Sequence, residues 1–136
     1  MKGIVFFSLA LFCIIAQPVF ADVIGGGDEE VRAVAEPILD TILEGFKNND
    51  YVKYSTHLDQ TLKEAVSEAK FAQTDSQIES SIGEYVSREY FGFLDQGQMT
   101  VVLWKGDFDN TEDDILIKLV ISKRDGEYLV TGLWFQ

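Results

Sequence analysis

Apolar residues recur at Val31, Val34, Ala35, Ile38, Leu39, Ile42, Leu43 and Phe46. That i, i+3, i+4, i+7 spacing lays one stripe along a helix for four turns. Pro37 falls inside the stripe, where an interior proline costs about 3 kcal/mol. Either the helix kinks there, or it starts near Glu36 with Pro37 in its first turn. Asp28, Glu29 and Glu30 sit where negative charge favours the start of a helix, and Lys47-Asn48-Asn49-Asp50 closes it. Residues 51–57 predict a short helix with Tyr51, Tyr54 and Leu58 on one side. Thr61-Leu62-Lys63-Glu64 reads as a capping box before Leu62, Ala65, Val66 and Ala69. Thr74-Asp75-Ser76-Gln77 reads as a second box before Ile78 and Ile82, with Gly83 placed to end that helix.

After Gly83 the period drops to two. Residues 85–94 are rich in aromatics, Gln96-Gly97 punctuates, and residues 99–104 continue as strand. Ile115, Ile117, Leu119 and Ile121 alternate with the residues between them, and Asp125-Gly126 carries the signal of a tight hairpin into a last strand over 128–135. Helices first and antiparallel strands second imply an α+β domain, with the N-terminal helices packed on one face of a curved sheet.

The N-terminus follows a different pattern. Lys2 precedes an almost unbroken apolar run over 3–16, and Val19-Phe20-Ala21 offers small residues where a signal peptidase reads. Residues 1–21 are expected to be a signal peptide, because the apolar run at 3–16 falls short of the ~20 residues an anchor needs and Pro18 breaks it. The organisation expected is then a signal at 1–21, a flexible leader at 22–30 built on Gly25-Gly26-Gly27, and one domain at 31–136. Cleavage leaves 136 − 21 = 115 residues, enough for one core. Cys13 is the single cysteine and lies in the signal, so the mature domain holds itself together by its core without a disulfide. The expected location is secreted or periplasmic.

Charge narrows the partners. The full sequence carries a net charge of −12, and losing Lys2 makes the mature chain one unit more acidic. Nucleic acid and anionic membrane surfaces both require basic patches, so neither is an expected partner.

The second half carries a resemblance. Ile82-Gly83-Glu84-Tyr85 entering the first strand, Asp125-Gly126 in the hairpin and Val130-Thr131-Gly132-Leu133-Trp134-Phe135 at the end resemble the nuclear transport factor 2-like superfamily, also called cystatin-like. The first helix closing on Asn49-Asp50-Tyr51 fits as well. The similarity is to a small family of exported domains of uncharacterised function, and it implies a cone-shaped fold. That fold hosts enzymes, binders and assembly modules, so it implies no activity by itself.

Candidate chemistry is sparse. His57 is the one histidine and Asp59 lies two residues on, a spacing that does not bring both to one side of a helix. Isomerases of the superfamily use a carboxylate base with phenol and carboxylic-acid donors. Tyr54, Tyr85 and Tyr90 with Asp59 or Glu89 are the groups available for such a hydrolase or isomerase, and no motif assigns them roles. Residues 107–114 hold five carboxylates, but an EF-hand would need glycine where Glu112 stands and glutamate where Lys118 stands. A solvated connection is the reading preferred, and no metal or cofactor is expected.

The strands add one inference. Leu116, Val120, Val130 and Trp134 break the alternation that a sheet covered on one face should show. A second copy covering that face as a homodimer is expected. The sequence thus points to a non-enzymatic exported domain, dimerising through its sheet, with a small apolar ligand in the cone. Tyr54, His57, Tyr90, Trp104 and Trp134 are the expected ligand-binding residues, because pockets are mainly apolar and aromatic.

Overall fold

Helix α1 (Asp28–Lys47) runs unbroken through Pro37 in the computed structural model, which describes residues 24–136. The expected signal peptide and Cys13 lie outside the described residues. Pro37 and Ala33 both sit on the solvent side, so the carbonyl that loses its helical donor is next to water and need not break the helix. The predicted stripe is the buried one: Val31, Ala35, Ile38, Leu39, Ile42 and Leu43 are buried, with Val34 and Phe46 packed against them. Asp28, Glu29 and Glu30 occupy the first turn of α1, and Ile24, within the segment expected as a leader, is buried in the core.

Three shorter helices follow: α2 (Tyr51–Ser55), α3 (Gln60–Ala65) and α4 (Glu68–Ser81). Both predicted capping boxes are misplaced. The N-cap of α3 is Asp59, whose carboxylate accepts from the Leu62 amide at 2.8 Å, not Thr61. Ser67 caps α4, so Thr74 and Asp75 lie in mid-helix. In each case a capping residue further upstream captures the orphan amides first. Gly45 lets α1 and α2 touch, since a Cβ there would overlap the Tyr54 backbone. Phe46, Tyr54 and Phe71 then pack ring to ring at centroid distances of 4.6–5.3 Å.

The strands β1 (Tyr85–Gln96), β2 (Met99–Phe108), β3 (Ile115–Arg124) and β4 (Glu127–Phe135) form one open antiparallel sheet in the order β1-β2-β3-β4. The fold is therefore α+β, with helices before the sheet. Asp125 and Gly126 take φ of 51° and 81°, the left-handed pair that a tight hairpin requires. Val102, Trp104 and Phe108 of β2 and Ile115, Ile117, Leu119 and Ile121 of β3 join α1 in the core.

One strand residue changes face. A register shift opposite Val120 and Ile121 leaves Thr131 as an extra residue. Val130, expected outside, pairs with Ile121 and is fully buried in the core. A bulge inverts the parity of every residue before it, which alternation alone does not reveal. Gly132 and Trp134 keep the outward face, where Leu94 pairs with Val101, Val101 with Val120, and Lys118 with Trp134. The segment 57–59 seals part of the β4 edge: the Val130 amide donates to the His57 carbonyl at 2.7 Å, and the Asp59 amide to the Val130 carbonyl at 2.9 Å.

Gly83 ends α4 with φ +88°, and a Cβ there would overlap Asp109 and Asn110. The close approach lets the Glu84 amide donate to the Asp109 carboxylate at 2.8 Å. Gly83→Ala is expected to lower stability by about 1–3 kcal/mol; urea unfolding of the variant with an unchanged midpoint would contradict this placement.

Candidate functional site

Trp104 is fully buried in the sheet, and its indole N–H needs an acceptor there. Glu36, in the middle of α1, supplies it at 3.1 Å. The other Glu36 oxygen accepts from Arg88 of β1, which reaches Glu36 through Nε at 2.9 Å and also through Nη2. Arg88 further donates to Asp40 at 2.7 Å and to the Tyr85 hydroxyl at 3.1 Å. Burial alone would raise the Glu36 pKa, but the hydrogen bonds from Trp104 and Arg88 outweigh it and hold the carboxyl below its ordinary 4.5. The same carboxylates keep Arg88 firmly charged against its own desolvation.

Beyond Asp40 the C-terminal half of α1, helix α4 and one end of the sheet diverge around a cleft of about 360 Å³. Its apolar lining comes from three elements: Leu43 and Phe46 of α1, Ile78 of α4, and Phe108 and Phe135 of the sheet. Asp40, Glu44, Asp75, Glu79 and Glu84 also line it, against one basic residue, Lys47. Four of these carboxylates are exposed while Leu43 and Phe108 are buried, so the charge forms a rim over an apolar floor. Two rim acids have cations of their own: Arg88 pairs with Asp40 and Lys53 with Glu44. Among the described residues no cation pairs with Asp75, Glu79 or Glu84. Burial, then the charges of Glu79 and Glu84, push the Asp75 carboxyl above its ordinary value.

None of the five expected ligand residues lines this cleft. Tyr54 is buried among Phe46 and Phe71, and Trp104 is a core residue. His57 is half-buried in the turn that bonds β4 through its backbone. Tyr90 donates its hydroxyl to Asp28 at 2.8 Å, and desolvation with that bond pushes its pKa up to about 12. Trp134 lies on the opposite face of the sheet, beneath the Lys118 ammonium at 5.0 Å. The five residues are dispersed: they occupy two faces of the sheet and the helical layer. The space between α1 and the sheet is filled by Trp104, Leu39, Ile42 and Ile117, all fully buried.

The groups considered for acid–base chemistry are equally dispersed. Asp59 caps α3, Glu89 faces Lys105 at 3.8 Å on the outer face, and Tyr85 accepts from Arg88. In the acidic connection, Asp107 accepts from Ser87, Asp109 from the Glu84 amide, and Asp114 lies 3.6 Å from Lys105. These carboxylates bind the protein's own donors at separate points.

The cleft residues that sequence reasoning missed come from α4 and the turn after it. Asp75 and Glu79 stand four apart with Ile78 between them, a pattern that a correctly placed α4 would have shown as one acidic and one apolar stripe. No family model matches the chain, and no curated protein matches it.

The Glu36 site makes a signed prediction. Because folding depresses this carboxyl, the stability it contributes is full above the unfolded value near 4.5 and drains as pH falls below it, through the folded value. Glu36→Gln is expected to cost about 2 kcal/mol at neutral pH, since it weakens the bonds to Arg88 and Trp104. The gap in melting temperature from the wild type should narrow as the pH falls below the ordinary glutamate value. A gap independent of pH would contradict the assignment.

Proposed function

We propose that the chain is an exported, non-enzymatic domain of the cone-shaped nuclear transport factor 2-like type. Two surfaces do its work. One is the uncovered sheet face, through which two copies pair, and the other is the cleft, which takes a small apolar ligand. The observation that carries the reading is an apolar patch on the sheet face opposite the helices. Val101 and Val120 are buried without joining the helix-facing core. Around them Leu94, Met99 and Trp134 are 50%, 41% and 45% exposed. The indole of Trp134 folds back over Gly132, where a side chain would overlap it, so the outer face carries a broad aromatic plate.

Size supports the pairing. Four strands spaced ~4.8 Å apart and about nine residues long make a face of roughly 19 by 30 Å. Two such faces bury roughly 1,100 Å² before side-chain relief is counted, close to the ~1,200 Å² at which stable interfaces begin. Lys118 fits such an interface, since its apolar stem packs while its ammonium stays on the Trp134 ring. Export is supported by the signal pattern of residues 1–21. The fold class is supported by the helices-then-sheet order and by the short motifs around Gly83 and Trp134.

No observation favours a hydrolase or isomerase, because the candidate phenols and carboxylates go to separate partners. Sedimentation velocity at micromolar concentration is expected to show a dimer. Trp134→Glu, at an exposed position, is expected to shift it to a monomer with unchanged secondary structure. A wild-type monomer, or a dimer indifferent to this substitution, would overturn the sheet-to-sheet arrangement. The mass of the exported protein is expected to fit a chain beginning at Asp22.

A further inference from the structure

The cleft combines an apolar floor with three rim carboxylates that no cation among the described residues pairs with, and it has a size suited to one small molecule. We propose that it binds a small cationic amphiphile: an ammonium or guanidinium group on a short apolar body. Asp75, Glu79 and Glu84 take the cation, while Leu43, Ile78 and Phe108 take the apolar part. This rests on the ligand-binding half of the function proposed above and names the ligand's chemical class.

The volume excludes large occupants. About 360 Å³ is near the lower end of the ~300–1,000 Å³ of small-molecule pockets, room for a short alkyl chain or one ring system. The lining then selects by charge. An anionic head would meet five carboxylates and one lysine. A neutral molecule would cover the apolar floor and strip water from the acids above it without replacing that hydration. A cation replaces it, and an apolar wall on one side strengthens each charge contact relative to open water.

The protein's own cations do not fill this role. Arg88 and Lys53 are committed to Asp40 and Glu44, on the α1 side of the cleft. The acids left over belong to α4 and to the turn leading into β1. Asp75 senses them already: after burial, the fields of Glu79 and Glu84 are what make it hold a proton more tightly. The field that favours a proton there favours any other cation at that place.

The test is calorimetric titration of the purified protein at low salt with three probes of equal chain length: octyltrimethylammonium, octyl glucoside and octyl sulfate. The cation is expected to bind one per chain, at least about tenfold tighter than the glucoside, with the sulfate weakest. Added salt should weaken the cation and leave the glucoside unchanged. Glu79 and Glu84 are exposed, so the double variant Glu79→Gln/Glu84→Gln should fold normally. It is expected to bring the cation down to the affinity of the glucoside. Equal binding of all three probes by the wild type would overturn the cationic class while leaving the cleft as an apolar ligand site. Binding of none would remove the ligand site itself, and the proposal with it. Tight cation binding that survives in the double variant would place the site elsewhere and also overturn it.

Discussion

The bond between the Trp104 indole and Glu36 fixes how this molecule is assembled. A tryptophan with no exposed surface at the centre of a sheet brings a hydrogen-bond donor into the core. That donor must be met, or the fold loses roughly 1–3 kcal/mol. The acceptor is the carboxylate of a mid-helix residue, and a buried carboxylate needs positive charge nearby. Arg88, from the neighbouring strand, supplies it and extends to Asp40 one turn along the same helix. One indole, two carboxylates and one guanidinium thus pin the middle of α1 across β1 and β2.

What lies beyond this node follows from it. With α1 held at Glu36 and Asp40, its C-terminal half lies beside one end of the sheet, and α4 forms the third wall. The gap is the cleft, and Asp40 belongs both to the node and to the cleft lining. The other consequence is one-sidedness. The helices pack against the face bearing Val102, Trp104 and Ile117, so Val101, Val120 and Trp134 on the reverse are left to whatever covers them.

Much of the frame was legible because local chemistry decided it. The α1 stripe, the left-handed glycine at 83 and the Asp125-Gly126 turn are each specified by a few neighbouring residues. The misreadings share a cause: several local solutions competed and tertiary contacts chose. Asp59 and Ser67 cap the helices for which the sequence also offered Thr61 and Thr74. One extra residue at Thr131 moved Val130 from the outer face to the core. The two tryptophans, alike in sequence context, went to opposite faces because strand parity sets their direction.

The cleft and the outer sheet face were least legible for the same physical reason. The cleft draws its acids from α1, α4 and the turn after Gly83, segments separated in sequence and joined only by packing. Nothing in the spacing of Asp40 and Glu84 announces that they face one space. The aromatic residues that stood out in sequence turned out to be core, clamp or outer plate. The cleft acids are ordinary glutamates and aspartates, and among the described residues no cation pairs with Asp75, Glu79 or Glu84.

The most direct test of the clamp is the Trp104 indole proton, followed by NMR through an acid titration. Protected from exchange, and shifting in one step with a midpoint below the ordinary glutamate value, it would report a bond to Glu36 that holds α1 on the sheet. An indole proton that exchanges at the free rate, or shows no such step, would contradict the clamp.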